Sequence, residues 1–351
     1  MTAKATAKSE ATVDDPDDDA KPTVVSTFSG PGGSSLGYER AGYDVRAALD
    51  CAPGSFSDEI LTTYRTNHPD TPLIVQDARE TTRNDILDTA DLEVGELDVL
   101  DGSPPCSPFS GANTHIDWGD HKDGTLFDTY ARFVDELEPK AFVAENVPDL
   151  AEGKTKGYYK RLCETLRNAG PGYDLRVQNI DAAYLGAAHH RRRLMFIAVR
   201  SDLRTLPPRI EPTSKPTTVR EAWDGLVNDP DAVDEAKKMM ERSDNYKHYA
   251  AMAPGQTLAD VCGRGYSHFR LEYRKPSRTI LSGGNYVLPP DEDRFITIAE
   301  LKRLIGIPDD YVLPPAYHTA KSCGIRCLPP VLLETIGTAL YETVADIPDP
   351  R

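Results

Sequence analysis

Between residues 23 and 200 the chain alternates short apolar runs with amphipathic stretches. That alternation admits few architectures, because strands interleaved with helices settle around a largely parallel sheet. The apolar runs predict strands over 23–29, 44–49, 73–76, 97–101, 141–145, 174–181 and 194–200. The stretches between them predict helices over 34–41, 58–66, 126–138 and 158–169. Beyond residue 200 the pattern degrades. Pro207, Pro208, Pro212 and Pro216 punctuate a connector, and residues from about 228 to 272 are polar with few strand or helix signals, so a small irregular lobe is expected there. Apolar periodicity returns over 298–305 and 331–344, which predicts two amphipathic helices. A chain of 351 residues suffices for one large α/β domain with a smaller lobe.

The formal net charge of −16 is unfavourable for meeting a polyanion. Its placement is uneven. Asp14, Asp15, Asp17, Asp18 and Asp19 lie within residues 1–21, which read as a disordered acidic tail. Basic clusters stand elsewhere, at Lys154, Lys156, Lys160 and Arg161, at Arg191, Arg192 and Arg193, and at Arg270, Arg274, Lys275 and Arg278. An Asp-rich surface is also what a high-salt cytoplasm favours; folding and activity unchanged by transfer to low salt would overturn that expectation. No run has the length of a membrane span and residues 1–21 lack a secretory apolar stretch, so a cytoplasmic location away from the membrane is expected. The six cysteines are scattered through a sequence of enzyme size, as reduced thiols are.

Four local patterns carry chemistry. Phe28-Ser29-Gly30-Pro31-Gly32-Gly33 joins a predicted strand to a predicted helix. Glycines there let backbone approach a nucleotide-like ligand, and Asp50, closing the next strand, can grip ribose hydroxyls. Alone, such a turn is equally well only a tight turn. Asp101-Gly102-Ser103-Pro104-Pro105-Cys106 follows the strand over 97–101, so a proline-braced loop delivers a thiol to the carboxyl edge of the sheet. Glu145-Asn146-Val147 ends the next strand and brings a carboxyl group to the same crevice; if burial raised its pKa it could donate a proton. His189-His190-Arg191-Arg192-Arg193 enters the strand over 194–200, where alternation turns Arg191 and Arg193 together into the cleft and Arg192 away.

In this order the four patterns resemble the motifs of the DNA cytosine carbon-5 methyltransferase family. Gly124-Thr125-Leu126 before a helix, and Arg274-Lys275-Pro276-Ser277-Arg278-Thr279-Ile280 followed by residues 297–311, resemble further motifs of that family. The resemblance covers roughly residues 23–345 and implies a Rossmann-like methyltransferase fold with a mixed, mostly parallel sheet. It further implies a catalytic domain over 22–204 and 273–351 and a target-recognition region over 205–272. Cys106 is then the nucleophile that attacks carbon 6 of cytosine, with Glu145 at ring nitrogen 3 and Arg193 and Arg191 at the base carbonyl. S-adenosylmethionine is the implied cofactor, contacted by Phe28, Gly30, Gly32, Gly33, Asp50 at the ribose, Asp77 at the adenine amino group and Pro105. The implied substrate is double-stranded DNA with its cytosine flipped out, the segment 107–122 with Trp118 closing over it. A monomer is expected, acting either as an orphan methylase or beside a companion restriction endonuclease. Three departures stand out: His189 where the family has Gln, Ile325 where its last motif has Asn, and extra sequence from Cys51 to Ser57 after Asp50, which leaves the adenine-stacking residue unplaced. Cys323-x-x-x-Cys327 with His318 upstream offers one cysteine pair, too few for a structural zinc site, so no metal is expected. Methylation of RNA cytosine and a catalytically silent DNA-binding partner are the competing readings.

Overall fold

The computed structural model describes residues 21–51, 56–105, 126–263, 267–282 and 285–344. The predicted apolar runs form strands β1 (Thr23–Thr27), β2 (Asp44–Leu49), β3 (Leu73–Ile74), β4 (Val99–Gly102), β5 (Ala141–Asn146), β6 (Tyr173–Asp181) and β7 (Arg192–Arg200). They make one sheet in the order β3-β2-β1-β4-β5-β7-β6. Pairings from β3 through β5 are parallel, and β7 runs antiparallel to both β5 and β6. The sheet is thus mixed and mostly parallel, as expected.

Alternate residues of the central strands feed two cores, as the two-residue period of a strand requires. On one face Val25, Leu100, Phe142 and Phe196 pack beneath α3 (Arg83–Ala90), α4 (Leu126–Leu137) and α5 (Lys156–Arg167). On the other, Val24, Val99, Val143 and Ile197 meet α1 (Gly33–Arg40) and the last helix, α12 (Pro330–Val344). Each such fully buried side chain contributes about 1.5–3 kcal/mol. Helix α2 (Ser57–Asn67) packs Ile60 and Leu61 on Cys323 of α11 (Tyr317–Arg326). By composition Tyr317–Val344 could cross a membrane, but 67% of its most apolar window is buried inside the fold.

The segment expected to be irregular holds helices instead. After α6 (Val219–Ala222) come α7 (Pro230–Glu241), α8 (Tyr246–Ala250) and α9 (Leu258–Cys262). Met240, Tyr249, Met252 and Leu258 from them build a small core with Leu288 and Phe295. A parallel pair, β8 (Phe269–Arg270) with β9 (Val287–Leu288), and helix α10 (Ile298–Ile305) join this lobe to the sheet domain. Of the basic clusters, Arg270 is turned inward, where carbonyls of Tyr249, Pro289 and Glu292 and the Asp293 carboxylate hold its guanidinium.

Chain order reverses beside β1, which pairs with β2 on one side and β4 on the other. The carboxyl ends of β1, β2, β4 and β5 and the amino end of β7 therefore share one edge. A crevice at such a switch point is where an open α/β sheet binds its ligand.

Candidate active site

At the end of β1 the backbone turns through three left-handed residues, Phe28 (φ 54°), Gly30 (φ 55°) and Gly32 (φ 100°), before α1 begins at Gly33. The Gly30 amide donates to Asp50 Oδ2 at 2.7 Å, so the acidic residue that closes β2 also fixes the turn. A Cβ on Gly30 would meet nothing within 4 Å, which leaves open space over the turn. Gly33, by contrast, lies tight against the Leu328 carbonyl and the Cys327 Cβ. Ser29 Oγ is buried with no partner among the described residues. An open, left-handed turn with an unpartnered hydroxyl and a carboxylate alongside fits a nucleoside-bearing cofactor. Asp77 does not end a strand: β3 stops at Ile74, and Asp77 opens the next turn, accepting from the Arg79 amide at 2.9 Å.

The next strand end over leads toward the thiol. Ser103 donates its amide to the Thr27 carbonyl, and Asn146 Nδ2 donates to the Pro104 carbonyl at 3.3 Å, binding the proline strap to the end of β5. Asn146 is itself fixed, its Oδ1 accepting from the Val147 amide. Pro105 is exposed at the end of this strap. Cys106 lies outside the described residues, as do residues 107–122 with Trp118.

Beside the strap, Glu145 Oε1 is ion-paired to Arg193 Nε, both side chains being mostly buried. Arg193 Nη1 also donates to the Arg192 carbonyl. Arg191 is buried and its Nε has no partner among the described residues. Burial pushes its pKa down to about 9, with the charge of Arg193 adding to the effect. A guanidinium does not give up its proton in a protein, so the shift measures how strongly this position wants an acceptor. Arg192 is turned the other way, exposed and 3.6 Å from Asp181. His189 is fully buried, and burial with the charge of Arg191 lowers its pKa to about 3. It is therefore neutral; Nδ1 donates to the Leu304 carbonyl at 3.1 Å and Nε2 is a bare acceptor. Ile325 is buried in the core around α10.

Sequence patterns alone did not single out several groups under this edge. Asp101 is buried at the end of β4, accepting from Ser26 Oγ at 3.0 Å, and burial raises its pKa to about 7. His68 and Tyr311 reach the glycine turn from far along the chain. Nothing local marks such residues, because their partners lie 36 and 280 positions away.

Comparison with known proteins agrees with this geometry. The model of the family described as C-5 cytosine-specific DNA methylase matches residues 23–342. The Type II methyltransferase M1.HphI of Haemophilus parahaemolyticus is 26% identical over 91% of this chain and 87% of its own length. M.NgoPII of Neisseria gonorrhoeae is 33% identical over 51% of the chain, which spans about half, 48%, of that relative. Among solved structures, an E. coli protein described as a prophage-encoded DNA modification methyltransferase superposes with a TM-score of 0.71 at 23% identity, covering 92% of this chain and 99% of that one. Spodoptera frugiperda DNMT2 superposes at 0.62 with 14% identity, covering 92% of this chain and 100% of that one. The chain belongs to the C-5 cytosine-specific DNA methylases, enzymes that move the methyl group of S-adenosylmethionine to carbon 5 of cytosine in DNA.

Proposed function

We propose that the chain acts on a cytosine flipped out of duplex DNA, with Cys106 as covalent nucleophile, Glu145 as the group facing ring nitrogen 3, and Arg193 and Arg191 as holders of the base carbonyl. The Glu145–Arg193 ion pair at the sheet edge, next to the strap that Asn146 binds, is the observation that carries the reading. Cytosine is a poor nucleophile at carbon 5. Addition of the Cys106 thiolate at carbon 6 makes carbon 5 enamine-like, and a proton donated by the Glu145 carboxyl group to nitrogen 3 offsets the charge that builds in the ring. Arg193 orients Glu145 through their ion pair, and Arg191 offers its unpartnered Nε to the carbonyl oxygen. Loss of the carbon 5 proton then re-forms the double bond and expels the thiolate.

S-adenosylmethionine, when bound, supplies an electrophilic methyl group on sulfur. Phe28 and the Gly30, Gly32 and Gly33 backbone would hold it, with Asp50 at the ribose, Asp77 at the adenine amino group and Pro105 near the methyl donor. Residues 205–272 would read the DNA sequence from the helical lobe. The Type II names of the relatives support a setting in restriction and modification. The chain would act there as a monomer, alone or beside a companion endonuclease.

Duplex DNA carrying 5-fluorocytosine tests the mechanism, because fluorine cannot leave as a proton does and the adduct is trapped. The wild-type protein should form that adduct in the presence of cofactor. Cys106→Ser should form none and lose methyl transfer by roughly 10³-fold or more. Full transfer by Cys106→Ser would sink the proposal.

A further inference from the structure

Two carbonyl groups of the glycine turn are held from beneath. Tyr311, on the connector between α10 and α11, donates its hydroxyl to the Pro31 carbonyl. His68, the C-cap residue of α2, sets Nε2 3.1 Å from the Gly32 carbonyl and Nδ1 2.7 Å from Glu39 Oε1 on α1. A carbonyl and a carboxylate can only accept, so both ring nitrogens of His68 face acceptors and the ring bridges the turn to α1. Tyr311 gives its one proton to Pro31. A Cβ on Gly32 would fall on the His68 ring and come within 2.8 Å of the Tyr311 hydroxyl, so turn and clamp are in direct contact.

We propose that His68, held by Glu39, is a positioning residue for the cofactor turn. With Tyr311 it draws the Pro31 and Gly32 carbonyls inward and so fixes the Gly30 end of the turn toward the cofactor. The Tyr311 hydroxyl lies 3.4 Å from Nε2, which places the phenol beside the imidazole ring. Tyr64 of α2 packs on it with centroids 4.8 Å apart, and burial holds the phenols of Tyr64 and Tyr311 well above their usual range. Cys323 and Cys327 of α11, beside Tyr311, are also pushed up by burial. Glu39 is the one carboxylate in direct contact with His68 among the described residues.

The inference rests on the reading that this turn holds S-adenosylmethionine, and the test separates the two. Binding of S-adenosylhomocysteine to the full chain would be followed by calorimetry, with thermal midpoints recorded alongside. His68→Phe and Glu39→Ala should each bind about tenfold or more weakly, while Glu39→Gln, which keeps an acceptor for Nδ1, should recover most of the affinity. Wild-type affinity in His68→Phe at an unchanged midpoint, or no recovery in Glu39→Gln, overturns this inference alone. No binding by the wild-type protein overturns the cofactor reading, and this inference with it.

Discussion

Asp101 is a carboxylic acid in a place that disfavours its charge. It sits at the end of β4, under the site, with Ser26 and Tyr38 hydroxyls as partners at 3.0 and 3.4 Å. Burial is the largest cause of its pKa rising to about 7 from 3.8, and the donors and the nearby Glu145 charge only modify it. Because the folded value lies above the unfolded one, the native state binds the extra proton between them. The stability this contributes is complete below about pH 4 and is lost as pH rises through about 7. Asp101→Asn mimics the neutral acid at every pH. The variant should therefore be more stable than wild type at about pH 8 by a few kcal/mol and close to it at about pH 4. Urea denaturation at both pH values checks this, and equal differences at the two would contradict it. The residue was visible in the sequence as a strand end; its charge state was not, because burial is a property of the whole sheet.

At the scale of elements, legibility followed periodicity. All seven strands of the main sheet and helices α1, α2, α4, α5, α10 and α12 lie where apolar spacing put them, within a few residues. Apart from α7 and α11 the elements left unread are short, and the cue for several was capping rather than hydrophobic period. Thr82 with Asp85, Thr218 with Glu221 and Thr257 with Asp260 form reciprocal capping boxes at the starts of α3, α6 and α9. Asp229 followed by Pro230 opens α7 in the same spirit, a side-chain cap and a residue preset for the first turn. Helix α11 has no side-chain cap at its start, and a run of small and polar residues hides it. Its end nevertheless shapes the site, since Gly33 packs against Cys327 and the Leu328 carbonyl. Gly33→Ala would put a methyl group into that carbonyl. Overpacking of this kind costs about 1–3 kcal/mol. The thermal midpoint should drop and S-adenosylhomocysteine affinity should fall with it, because α1 and the turn must shift together. Unchanged affinity at an unchanged midpoint would show that the contact can yield without moving the turn.

Across the whole molecule, one buried carboxylate ties the start of the lobe to α10, the helix that helps join it to the sheet domain. Glu300 of α10 takes two hydrogen bonds from Arg294, at 2.7 Å each, caps its own helix through the Thr297 amide at 2.8 Å, and accepts from Asn228 at 2.9 Å. The Glu300 carbonyl accepts from Trp223 Nε1 as well. Residues from before the lobe helices, from the returning chain and from α10 thus meet at one side chain. Replacing a buried ion pair as a unit can be nearly neutral, but removing one partner strands a charge and costs about 3–5 kcal/mol. Glu300→Ala leaves Arg294 with Glu292, which is half exposed, and frees Asn228. The glycine turn and Asp50 are built from the ends of β1 and β2 and the start of α1, and they meet the α10 region through Tyr311 on the connector that follows it. The loss should therefore fall on DNA before cofactor: duplex affinity should drop well ahead of S-adenosylhomocysteine affinity, and Glu300→Gln, which keeps the shape and part of the bonding, should lie between Ala and wild type. Equal loss of both ligands at a temperature where the variant remains folded would mean that lobe and cofactor site respond as a single unit, contrary to this division.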